Sequence, residues 1–345
     1  MKRVLMILAI CAVLISPVSA MEFTAPTASS DVQDLIPMES ESFADGLWSV
    51  IQSAVKNLQP DLAQAAKTCL ALFSVVMLAS MINGMPGNSK QVIKFVCVLA
   101  ISSILLGQTN AMIKLCAETV QSLSEYGKLL LPVMAGALAA QGGVTGASAL
   151  YVGTAVFDTF LSSVIGNLLV PMVYLFLALA IGNSATGDAL LKKIRDFLKW
   201  LMTWGLKIVI YVFTGYMSIT GVITGTADAS AVKAAKLTIS GVVPVVGGML
   251  ADASEAVVLS AGMMKSTVGV YGLLAVTAIW ITPFLQIGIQ YLMLKMTAAF
   301  CSVFGVKQAS ELIDDFSGAM GLMLGMTGTV SLLLLISMIC FMKGM

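Results

Sequence analysis

The sequence predicts an all-α fold: a polytopic helical membrane protein of about six spans, two Pro/Gly-interrupted segments that re-enter or lie on the membrane, and an internal duplication. Three observations carry this. Hydrophobic residues make up 58% of the chain and charged ones 11%, where an ordinary soluble domain has roughly 25% charged residues, and mean hydropathy is +0.96. Apolar runs near the roughly 17–20 residues needed to cross a bilayer recur along the chain. Two stretches mix proline, glycine and polar groups into apolar surroundings, which a bilayer tolerates only where protein or water satisfies the freed backbone and side chains.

Composition also narrows the chemistry. The chain has no histidine, so the commonest metal ligand and general base are missing, and with them zinc hydrolase and Ser-His readings. Its six cysteines form no pair with metal-like spacing. Net charge is +1, which implies no nucleic-acid partner. No G-x-x-x-x-G-K-[ST] loop occurs, so any ATP hydrolysis belongs to a partner. No cofactor is implied.

The elements follow in order. Lys2 and Arg3 precede an apolar run, then Pro17, Val18, Ser19 and Ala20, the pattern of a secretory signal peptide cut after Ala20. Cys11 is no lipidation site, because Ile10 stands where a small residue is wanted. Residues 21–61 carry Glu22, Asp31, Asp34, Glu39, Glu41, Asp45 and Asp61 against Lys56 alone. This is an acidic extracytoplasmic segment. Within it Leu47, Trp48, Ile51, Val55 and Leu58 form a helical stripe, suited to an interfacial helix or to docking an extracytoplasmic partner. Residues 62–345 form the transmembrane domain.

Spans are expected at 67–85 and 91–108, with Lys90 and Lys94 placing the loop between them in the cytoplasm. Residues 129–156 are the first interrupted segment, holding Pro132 and Gly136; a span at 161–181 follows. Lys192, Lys193, Arg195 and Lys199 then make the strongest cationic stretch, expected inside. It falls inside only if residues 129–156 dip and return or lie flat. There Leu191, Ile194, Leu198 and Leu201 recur at helical spacing, as in a membrane-surface helix or a contact for a cytoplasmic partner.

A span at 200–224 starts with Trp200 and Trp204 as an aromatic belt. The second interrupted segment, 241–269, contains Pro244, Gly247, Gly248, Asp252, Glu255 and Lys265. It reads either as a protein-packed element lining a polar path or as an amphipathic surface helix. Span 270–294 bears Pro283 and two amides, Gln286 and Gln290, that suit bonds to neighbouring helices. Glu311, Asp314 and Asp315 mark an acidic connection at 304–316, and the span at 318–342 offers Gly321, Gly325 and Gly328 for close helix approach.

The duplication rests on equal intervals. Pro132 stands to Pro244 as Pro171 does to Pro283, and Gly136 matches Gly248 in the same register, which gives repeats at about 91–199 and 200–318.

The Pro-Val-Val-Gly-Gly turn at 244–248, the pair Asp252 and Ala253, the Val-Leu-Ser-Ala run at 258–261, and Lys265 before Val268 and Gly269 together resemble the stage III sporulation protein AE family of endospore formers. The resemblance implies a multi-pass protein of the mother-cell membrane around the forespore. It would act with the other stage III A-operon membrane proteins and a forespore partner in a secretion-like channel complex that sustains late forespore gene expression. It supplies no catalytic residues. The alternative is a self-contained transporter built from the repeats. An intramembrane enzyme using Asp158 and Asp252 lacks a recognisable motif, and the protein is read as not an enzyme.

Overall fold

The computed structural model describes residues 43–83, 90–141, 143–242 and 247–343; side chains are described except at 43, 44, 82, 83, 90, 91, 93, 343 and throughout 221–267. Among the described residues the structure is helical, with no strand. The helices are α1 (Phe43–Asn57), α2 (Gln59–Asn83), α3 (Lys90–Ala140), α4 (Val144–Val164), a π-helical turn (Ile165–Leu169), α5 (Val170–Thr186), α6 (Ala189–Val242), α7 (Gly247–Ser302) and α8 (Lys307–Lys343).

Six candidate spans emerge: Gln59–Met81, Lys94–Ala140, Val144–Thr186, Ala189–Thr220, Val268–Ser302 and Lys307–Met342. Each span expected from hydropathy lies inside, or nearly inside, one of these. Their lengths differ from expectation. α3 has 51 residues, about 77 Å of helix, against a hydrocarbon core of about 30 Å. Residues 109–128 continue the helix because they include Lys, Glu, Gln, Met, Leu and Ala with no proline, so propensity gives the backbone no reason to stop.

The proline landmarks land differently from the reading of interrupted helices. Pro132 lies inside α3, and the break comes later, at Gln141–Gly143. Residues 129–156 are thus the tip of a helical hairpin made by the end of α3 and the start of α4. Pro171 opens α5 just after the π-helical turn, where its missing N–H costs least. Pro283 is inside α7. α6 is described to Val242 and α7 from Gly247, and Pro244 lies outside the described residues.

The acidic connection expected at 304–316 shrinks to a short turn, with Gly305 at φ 75°. Glu311, Asp314 and Asp315 ride on α8 instead. The cationic stretch is likewise the first turns of α6 rather than a separate surface helix.

α8 is the axis of the bundle and packs against α3, α4, α5, α6 and α7. Phe176, Phe213, Phe316, Phe341 and Met134 are among its largest fully buried neighbours and members. Small residues permit some of these contacts: a Cβ at Gly321 would stand 3.4 Å from Tyr291, and one at Gly325 3.6 Å from Leu206, while Gly328 faces nothing within 4 Å. α1 buries Val50 and Ala54, and Leu58 just beyond it is buried too, whereas Trp48 and Val55 of the expected stripe point outward. The stripe is therefore split between core and surroundings. Gln286 donates to Asp61 at 2.9 Å, the interhelical amide bond expected of it, and Gln290 is buried.

Candidate functional site

Polar groups inside this apolar bundle fall into three sets. The first lies where α6, α7 and α8 meet near the Phe304–Gly305 turn. Arg195 on α6 is buried, pairs with Asp315 of α8 and also donates to Asp196 at 2.8 Å. Lys295 of α7 pairs with Asp314. Arg195, Lys295, Asp314 and Asp315, with Lys192, Ser310 and Glu311, line a cavity of about 370 Å³. Arg195 is the one arginine after position 3, and its planar fork suits a buried pair better than the lysines around it. Read only as one cation among several, it looked like a surface charge; its being the lone arginine was the signal to follow.

The second set joins α3 to α4. Asp158 on α4 is 1% exposed, and Ser124 of α3 donates to its Oδ2 at 2.7 Å. Its Oδ1 has no partner. One turn away along α4, the Thr154 and Ser337 hydroxyls share a buried bond of 2.9 Å that ties α4 to α8. Ser124 also lines a polar furrow of about 360 Å³ with Gln121, Lys128, Thr159, Ser162 and Asn167.

The third set continues that furrow along the outer face of α3. Lys114, Glu118, Gln121, Glu125 and Lys128 recur at alternating three- and four-residue spacing and are all exposed, so they share one helix face. Lys114 pairs with Glu118 at 3.6 Å, and Gln121 donates to Glu125 at 2.8 Å. Nearer the α5 end, Tyr174 donates to Asn110 at 2.6 Å beside a cavity of about 440 Å³. Thr109 Oγ1, which borders it, is buried without a partner, as is Gln108 Oε1.

The residues singled out from sequence do not converge on these sets. Pro132 and Gly136 are in the upper part of α3, Pro171 heads α5, and Pro283 is in α7. Gly247, Gly248, Asp252, Glu255 and Lys265 belong to the first turns of α7 by backbone, but their side chains, like Pro244, lie outside the described residues. Asp158 is the sequence candidate that the fold brings to a polar partner.

The family model described as Stage III sporulation protein AE matches residues 30–344. A similar curated protein is Stage III sporulation protein AE of Bacillus subtilis (strain 168), 22% identical over 270 residues, which are 78% of this chain and 67% of the relative. No solved structure matches the chain.

Proposed function

Because the chain belongs to the stage III sporulation protein AE family, we propose that it is a membrane subunit of the secretion-like channel complex between mother cell and forespore. There it works with the other stage III A-operon membrane proteins and a forespore partner, in the mother-cell membrane that surrounds the forespore. The observation that supports a subunit over a free-standing protein is the charged face of α3 from Lys114 to Lys128, exposed on the outside of a bundle whose other outward faces are largely apolar. Lipid cannot satisfy such a face. An assembly can, by placing it against water or a polar neighbour.

The prediction is that deletion in a spore former stalls development after engulfment and abolishes late forespore reporter activity, with restoration by the intact gene. Normal spore yield in the deletion strain would defeat the reading. A second reading, a self-contained transporter, is favoured by the equal spacing of Pro132 to Pro244 and Pro171 to Pro283, the basis of the expected duplication. Solute uptake by the purified chain alone in liposomes would support it, while a channel subunit stays inactive without partners.

A further inference from the structure

We propose that Asp158 is an exchangeable monovalent-cation site, taking up a proton or a sodium ion by way of the polar furrow between α3 and α4. The carboxylate is withdrawn from solvent and receives one hydroxyl donor, Ser124, while its second oxygen receives none. No ion pair to it forms among the described residues. A carboxylate buried with a single neutral donor is disfavoured as a bare anion, which favours uptake of a proton or a cation.

The surroundings favour exchange over a permanent occupant. Ser124 both donates to Asp158 and lines the furrow, so the carboxyl group is one hydrogen bond from polar, open space. From α3 the charged groups facing this region are Lys128 and Glu125, and Lys128 is close enough to act on Asp158 electrostatically. Its ammonium repels a resident cation and keeps affinity low. α4 contributes the hydroxyls of Thr159 and Ser162 to the furrow. α8 brings Leu334 against Gly127 beside the carboxylate, and α6 packs Phe213 and Tyr216 against the adjacent Phe157; neither helix sets a charge on Asp158 among the described residues. Gly127 lets Leu334 pack closely beside the carboxylate: a Cβ there would stand 2.9 Å from Leu334 Cδ2 and 3.9 Å from Asp158 Oδ2.

The site goes beyond the channel reading and is tested apart from it, on the purified full-length chain in lipid nanodiscs. A hydrophobic carbodiimide, which reacts with buried protonated carboxyl groups, is applied across a pH series with sodium chloride or choline chloride, and the Asp158 peptide is read by mass spectrometry. The expected result is an adduct at Asp158 that grows as pH falls and is lost in Asp158→Asn. Suppression by sodium assigns a sodium site; indifference to sodium with retained pH dependence assigns a proton site. Absence of an adduct at every pH, or an adduct independent of both pH and sodium, overturns the proposal. Ser124→Ala is expected to shift the pH at which the adduct appears while leaving the protein folded.

Discussion

Arg195 carries a full charge into a helical core because Asp315 and Asp196 meet its guanidinium from two sides. A buried pair of this kind gives little net stability compared with apolar residues of the same volume, yet removing one partner leaves an uncompensated charge. The single substitution Arg195→Met is therefore expected to destabilise the protein by about 3–5 kcal/mol, and the double substitution with Asp315→Leu to recover most of that loss. Thermal unfolding in detergent reads both. If the double variant is no more stable than the single one, the pair is not what holds α6 to α8. The same comparison fixes what the pair is for: a double variant that is stable but fails to support sporulation would give the ionic cluster around the 370 Å³ cavity a role beyond packing.

At the scale of elements, helix contacts depend on a few places where a side chain is absent. Gly153 of α4 faces Tyr216 of α6, whose hydroxyl donates to the Ala149 carbonyl at 2.9 Å. A Cβ at Gly153 would lie 2.6 Å from the Tyr216 Cζ and 2.7 Å from its hydroxyl. Gly153→Ala should cost about 1–3 kcal/mol through overpacking, with Tyr216→Ala in the same chain relieving it; additive losses in the pair would show that the two helices do not meet there. Hydropathy could foresee the spans that α4 and α6 contain but not this contact, because the glycine and the tyrosine are far apart in sequence and each looks ordinary alone. It also missed where helices end. The acidic stretch 304–316 reads as a connection because it is charged, yet most of it favours helix and α8 begins at Lys307, while α3 runs on past the expected span end at 108 through residues that favour helix. Pro132 reads as part of an interrupted segment, but it sits inside a continuous helix, whereas Pro283 lies within a helix as its place in the span 270–294 implies. The apolar runs were legible because lipid and core select for the same residue types. The polar sets were less so: Asp158 stood out as a lone acid in an apolar run, whereas nothing near Ser124 marked it as its partner.

The whole molecule poses a problem of covering its outer surface. α3 shows exposed Val92, Phe95, Val96, Leu99 and Leu106 along its first part and exposed Leu129 beyond the charged stripe. The stripe itself flanks the apolar middle of α8: Cys116 donates to the Met323 carbonyl, and Gly127 lies against Leu334. Charge on α8 ends at Asp315 on that side until Lys343. At 1.5 Å per residue, the stripe therefore runs from about 12 to about 28 Å beyond the Asp315 layer, a distance that fits within a hydrocarbon core of about 30 Å when that layer marks its edge. Its two lysines and two glutamates sum to zero, with Lys114 paired to Glu118 and Gln121 donating to Glu125, so it needs no counter-charge from a partner and is best matched by water. Single replacements Lys114→Cys, Glu118→Cys, Gln121→Cys, Glu125→Cys and Lys128→Cys, in a chain otherwise without cysteine, are expected to react with a membrane-impermeant maleimide in sporulating cells. Val92→Cys, Val96→Cys, Leu99→Cys and Leu106→Cys are expected to stay unlabelled until the membrane is dissolved. A stripe as unreactive as those apolar positions in the assembled complex, but reactive once partner proteins are deleted, would place a protein neighbour rather than water on this face of α3.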